Sequence, residues 1–92
     1  MFALKFEVRA NANNTNIFVE QETLLDIPSN DKGAVDKACM IGMGSFATPK
    51  EMLITSEAIM SKLKFTRAEH KFEEITHGTL NRGSYRVLAK KI

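Results

Sequence analysis

Three side chains in this sequence could serve as metal ligands or as a nucleophile and its base: Cys39, His70 and His77. A catalytic thiol needs a histidine beside it, and a structural zinc site needs four ligands. On a helix the two histidines would lie two turns and about 10 Å apart, and on a strand their odd spacing places them on opposite faces. Cys39 falls on the apolar side of a predicted helix, where a thiol packs as a small hydrophobic group. We therefore predict no catalytic residue and no metal site.

The segment Gly42-Met43-Gly44-Ser45-Phe46-Ala47 matches the glycine pattern that cradles a dinucleotide pyrophosphate. That pattern belongs after a buried strand in a parallel βαβ unit, whereas here it follows a capped helical pattern. The lysine and hydroxyl of a phosphate-binding Gly-Lys-Ser or Gly-Lys-Thr loop are also absent from the sequence. We interpret the segment as a turn between two helices and predict no cofactor.

Two other groups of residues have simple structural explanations. Glu73 and Glu74 are neighbours that point in different directions on a helix or a strand, so we expect them on a solvated face and not as an acid and base pair. Four methionines, Met40, Met43, Met52 and Met60, could form an adaptable binding surface, but their helical spacing favours core filling.

The charge distribution is the most informative feature. The formal net charge is only +2, yet residues 1–46 hold four basic and six acidic side chains, and residues 47–92 hold nine basic and five acidic ones. Residues 75–92 contain no carboxylate side chain. The candidate partner-binding residues are Arg82, Tyr85, Arg86, Lys90 and Lys91. They would bind an acidic protein surface or nucleic acid phosphates, or they would only protect an exposed strand edge from aggregation.

The elements that must position these residues begin with a hairpin. Phe2, Leu4, Phe6 and Val8 alternate with more polar residues, which predicts a strand with one buried face. An asparagine-rich turn at 11–14 leads into a second strand from Thr15 to Glu20, continuing towards residue 25. The succession of Glu20, Gln21 and Glu22 indicates a bulge or a sheet edge there.

Two helices should follow. Ser29, Asn30 or Asp31 caps the first, which buries one side from residue 34 to Ile41 and ends near the glycines at 42 and 44. Thr48, Pro49 and Glu51 form the start signal of the second, a capping box with proline at the first helical position. Its predicted apolar stripe comprises Met52, Leu53, Ile59, Met60 and Leu63.

The sequence from Arg67 to His77 is compatible with two secondary structures. Another capping box at Thr66 favours a helix, which we predict first. The alternative is a strand from Lys71 to His77, with one bulge, paired with a final strand from Ser84 to Lys90. The fold class is therefore α+β: an antiparallel sheet of three to four strands, built from the N-terminal hairpin and the C-terminal strand, with two to three helices in the order β-β-α-α-(α or β)-β.

The 92 residues are enough for a single domain, spanning 1–92. A single cysteine, no signal-peptide pattern at the N-terminus and no long apolar segment predict a cytoplasmic protein without membrane contact. With no catalytic signature, we expect a non-enzymatic accessory or regulatory protein of the inhibitor type that binds another protein. A nucleic-acid-binding module is the alternative, an enzyme whose site assembles from scattered residues stays open, and an exposed strand edge would allow a homodimer.

Overall fold

The computed structural model describes residues 1–92 and contains four strands and two helices. The elements are β1 (Phe2–Asn11), β2 (Phe18–Ile27), α1 (Lys32–Met43), α2 (Pro49–Leu63), β3 (Glu73–Leu80) and β4 (Gly83–Lys91). All strand pairs are antiparallel, and the strand order across the sheet is β2-β1-β4-β3. The predicted α+β class is confirmed, with the order β-β-α-α-β-β.

The β1–β2 hairpin follows from the alternation in the first segment. Leu4, Phe6 and Val8 are buried on one face of the sheet. Asn14 in the connecting turn has a φ of 63°, a left-handed conformation that asparagine tolerates better than most residues. The ladder between β1 and β2 is unbroken over ten residue pairs. The second strand starts later than predicted, at Phe18, and runs further, to Ile27.

Side-chain caps start both helices, as their sequences predict. Asp31 accepts a hydrogen bond at 2.9 Å from a backbone N–H in the first turn of α1. Thr48 and Glu51 form the reciprocal capping box at the start of α2. The predicted inward positions of Ile41 and Leu53 are wrong: they are 54% and 49% exposed, because they lie on the helix faces turned away from the sheet.

The predicted helix after α2 is wrong, and the strand alternative is right. Residues 66–72 form no regular element, and β3 starts at Glu73. The β3–β4 ladder has a register shift between Glu74 and Thr76, which is the bulge that restores the alternation. The backbone N of Asn81, in the tight loop after β3, donates to Glu51 Oε2 at 2.7 Å. That bond fastens the β3–β4 hairpin to the start of α2.

Strand β4 lies between β1 and β3, so it is an interior strand and not the solvated edge that we considered. Both helices cover the same face of the sheet, where 17 buried residues form one hydrophobic core. Its largest fully buried side chains include Phe6, Leu4, Met43, Ile59 and Leu63. The opposite face of the sheet carries no helix, and we call it the open face.

Candidate binding surface on the open face

The antiparallel register arranges the open-face side chains in rows across the sheet, four of which span at least three strands, because directly paired residues project from the same face. These four rows are Asp26, Ala3 and Lys90; then Leu24, Lys5, Leu88 and Glu74; then Glu22, Glu7, Arg86 and His77; and finally Glu20, Arg9, Ser84 and Thr79. We call the first two rows together with Phe72 and Ile92 the lysine end, and the last two rows the ion-pair end. The two ends differ in how their charges are compensated.

At the ion-pair end, the central cation is neutralised within the protein. Arg86 Nε donates a hydrogen bond to Glu7, and Arg86 Nη1 lies 3.5 Å from a Glu74 carboxylate oxygen. The hydrogen bond with Glu7 raises the pKa of Arg86 further above its ordinary value. His77 Nδ1 lies 3.2 Å from the second Glu74 oxygen. Arg86 is therefore engaged by two carboxylates on neighbouring strands and has little charge left to offer a partner.

At the lysine end, two cations have no acidic partner. Lys5 Nζ lies 4.7 Å and Lys90 Nζ lies 5.0 Å from the centroid of the Phe72 ring, so the two ammonium groups are within about 10 Å of each other. No carboxylate oxygen lies within 4 Å of either ammonium group. Leu24 and Ile92 are 60% and 54% exposed beside them, around a shallow depression of about 460 Å³. The lysine end thus combines two cations without an ion-pair partner, the Asp26 carboxylate and exposed apolar area.

The five residues predicted to bind a partner do not form one patch. Arg82 lies in the loop before β4 and donates from Nη1 to the Thr15 carbonyl at 2.6 Å. Lys90 lies eight residues further along the strand, about 26 Å away at 3.3 Å per residue. Lys91 projects to the opposite side of the sheet from Lys90, because successive strand residues alternate.

The two central members of that set are also separated from each other. Tyr85 is only 8% exposed and faces the helix layer, where its ring packs over Gly78. A Cβ at Gly78 would lie 2.9 Å from Tyr85 Cε1, which leaves no room for a side chain there. Arg86 projects to the open face, at the ion-pair end. Of the five predicted residues, only Lys90 belongs to the lysine end.

Sequence reasoning missed Lys5, Leu24 and Phe72. The alternation of the first strand already placed Lys5 on the polar face of β1, but that pattern does not identify the residues that lie beside Lys5 on other strands. Lys5 and Lys90 meet because β1 pairs with β4, a contact between the two ends of the chain. Phe72 falls in the segment that we predict first as a helix, whereas it precedes β3 and its ring lies beside Lys5 and Lys90 of the open face.

The residues first considered for chemistry are dispersed. Cys39 is 1% exposed, and burial raises the pKa of its thiol to about 12, with a smaller contribution from Asp36. His70 lies in the loop before β3 and His77 within β3. No group of three or more histidine, cysteine, aspartate or glutamate side chains is arranged to hold a metal ion. The Gly42 to Ala47 segment contains the last two residues of α1 and most of the turn that leads to α2.

The methionines divide between the core and the outer surface of the helices. Met43 is fully buried, as predicted, and Met52 and Met60 are partly buried against the core. Met40 is 64% exposed, so core filling is wrong for this residue. It lines a pocket of about 210 Å³ between α1 and α2, together with Met52 and Leu53.

Comparison with known proteins adds no relative from which a role could be taken. No protein-family model, curated protein sequence or solved structure matches this chain. Neither helix has the length and apolar character needed to cross a membrane. The functional argument therefore rests on the surface of the molecule.

Proposed function

We propose that this protein is a non-enzymatic accessory or regulatory module that binds another protein through the lysine end of the open face. The supporting observation is the pair Lys5 and Lys90, two ammonium groups without carboxylate partners that both lie near the Phe72 ring. An acidic protein surface with apolar side chains would pair with both cations and cover Leu24 and Ile92. The single buried cysteine is compatible with a reducing compartment such as the cytoplasm.

The charge of the open face favours a protein over nucleic acid as the partner. Its four rows contain four basic side chains and five carboxylates. Phosphate backbones bind surfaces where cations dominate over a long stretch, because affinity depends on the number of phosphates that are neutralised. Two uncompensated lysines beside apolar residues suit a local acidic and apolar contact instead.

The test compares two variants with the same change of charge. Lys5→Glu/Lys90→Glu reverses the lysine end, and Lys37→Glu/Lys50→Glu reverses two exposed lysines on the helices that take part in no ion pair. Immobilised wild-type protein and both variants are exposed to nuclease-treated native lysate, and captured proteins are identified by mass spectrometry. Any protein lost only with the first variant is then purified, and its affinity is measured by calorimetry at two salt concentrations.

We expect a one-to-one complex that Lys5→Glu/Lys90→Glu weakens at least tenfold, a loss of about 1.4 kcal/mol, and that high salt also weakens. The helix variant should bind like the wild type. Equal capture by all three proteins would contradict the proposed surface, and recovery only without nuclease would support the nucleic-acid alternative. A stoichiometric cofactor in the native mass spectrum would contradict the non-enzymatic role.

A further inference from the structure

The outer edge of β2 lacks most of the features that normally protect an edge strand. Natural edges are blunted by proline, by charged side chains and above all lysine, by bulges or by a short length, and of these β2 has only acidic side chains. β2 is ten residues long, contains no proline or lysine, and pairs with β1 without a register shift. None of the backbone hydrogen bonds outside the helices and strands involves a β2 residue. The other edge strand, β3, is shorter and carries the bulge at Ile75.

The side chains of β2 on the open face show what could pair with it. They are Phe18, Glu20, Glu22, Leu24 and Asp26. Glu20 lies 3.0 Å from Arg9, whereas Glu22 and Asp26 have no basic group within 4 Å. Phe18 and Leu24 are 56% and 60% exposed. A complementary strand would place basic side chains opposite the carboxylates and an apolar side chain opposite Leu24.

A second copy of β2 does not meet this requirement. Open-face residues can pair only with open-face residues, because direct neighbours in an antiparallel ladder share a face. Each antiparallel register that joins most of β2 to its copy then sets one of Glu20, Glu22 and Asp26 opposite another carboxylate. β2 has no basic side chain to offset that repulsion. A homodimer through this edge, which an exposed strand would allow, is therefore disfavoured.

We propose that β2 accepts an extended segment of a partner protein as a fifth strand, with basic side chains on its alternate open-face positions. Backbone hydrogen bonds along the edge would provide affinity, and the carboxylates of Glu22 and Asp26 would select the sequence. This surface is the outer backbone edge of β2 with its carboxylates, whereas the function proposed above uses Lys5 and Lys90 on β1 and β4; the two surfaces adjoin at Leu24 and Asp26. The fifth-strand proposal does not depend on the function proposed above.

The probe is a synthetic capped peptide, Thr-Lys-Val-Leu-Thr-Lys-Val-Lys-Thr, whose second, fourth, sixth and eighth side chains would oppose Asp26, Leu24, Glu22 and Glu20 in an antiparallel fifth strand. Control peptides replace every lysine with glutamate, or carry an N-methyl group on the leucine nitrogen, which removes a backbone donor that would face β2. The even-numbered residues of β2 present their N–H and C=O groups on the outer edge, because the odd-numbered residues bond to β1. Each is titrated into isotope-labelled wild-type protein, and amide shifts and hydrogen exchange are followed by NMR.

We expect the lysine peptide to shift β2 amides and to slow their exchange, with β3 amides unchanged, and both control peptides to bind at least tenfold more weakly. Glu22→Lys/Asp26→Lys should weaken the lysine peptide by at least tenfold. Glu57→Lys/Glu69→Lys, a matched change at exposed sites outside β2, should not.

Three results would overturn the proposal: equal binding of the lysine and glutamate peptides, perturbation mapped to β3 or to Lys5, Phe72 and Lys90 instead of β2, or no β2 shift at about millimolar peptide. The Lys5→Glu/Lys90→Glu variant separates this proposal from the preceding one. It should bind the peptide at least as well as the wild type, because its substitutions leave the β2 edge intact.

Discussion

Replacing Gly42 with alanine should destabilise this protein although alanine is the better helix former. Gly42 lies in the last turn of α1, directly over the ring of Phe6 at the centre of the sheet. A Cβ at this position would lie 2.4 Å from Phe6 Cγ and 2.5 Å from Cδ1. Carbon atoms in ordinary contact are about 3.5–4.0 Å apart, so the helix or the ring would have to move by more than 1 Å.

The size of the effect follows from two opposing contributions. Alanine gains about 1 kcal/mol over glycine in a helix interior. Overpacking a buried position costs about 1–3 kcal/mol, and the upper part of that range applies because Phe6 is fully buried and cannot turn away. We therefore expect Gly42→Ala to lower the free energy of unfolding by about 2 kcal/mol, which corresponds to a decrease in Tm of about 10 °C for a domain of this size.

Gly33 provides a control in the same helix. A Cβ there would meet only the Asp31 carboxylate, at 3.6 Å, so Gly33→Ala should leave stability unchanged or raise it by about 0.5 kcal/mol. Urea denaturation followed by circular dichroism measures both variants. The double variant Gly42→Ala/Phe6→Leu should lose less than the sum of the two single changes, because the smaller side chain relieves the contact. Stabilisation by Gly42→Ala would refute the idea that this glycine sets the distance between helix and sheet.

Two further predictions concern buried hydroxyl groups and pH. The Thr66 hydroxyl is buried without a hydrogen-bond partner, so Thr66→Val should raise the free energy of unfolding by about 1 kcal/mol. Thr55→Val should lower it by about 1 kcal/mol, because the Thr55 hydroxyl donates to a helix carbonyl at 2.9 Å. Thermal denaturation of the two variants checks both signs. Hydrogen bonds from Lys32 and Ser56 lower the pKa of Asp36 below its ordinary value, so their contribution to stability is complete above about pH 4 and is lost as the pH falls through the lowered pKa. Asp36→Asn should therefore lower the urea midpoint at pH 7 and have a decreasing effect towards pH 3, and a difference that does not vary with pH would contradict this assignment.

The sequence alone predicted the helices and strands whose start or buried face is specified by residues close together in the chain. The Thr48 capping box, the Asp31 cap and the alternation of β1 each specify an element through contacts within a few residues, and each is present in the structure. Such signals fix where an element starts and which face it buries. They do not fix its neighbours.

The segment after α2 shows how a local signal can mislead. Thr66 begins a sequence that satisfies the rules for a helix start, yet residues 66–72 form a loop and β3 follows. The bulge at Ile75 interrupts the alternation that would have identified the strand. Pairing with β4 and contact with α2 stabilise β3 as a strand, and neither interaction can be read from the segment alone.

The candidate binding surfaces likewise depend on some features that the local sequence specifies and on others that only tertiary contacts specify. Composition and alternation alone established an α+β chain with polar residues on one face of β1 and an excess of basic residues near the C-terminus. The basic segment suggested one patch, but Arg86 is engaged by Glu7 on the next strand, and Tyr85 faces the core. Only the pairing of β1 with β4 brings Lys5 beside Lys90, and only the strand order leaves β2 with an unpaired edge. Local sequence determines the direction of a side chain, whereas its charge partners come from strands distant in the chain, which the tertiary structure alone brings together.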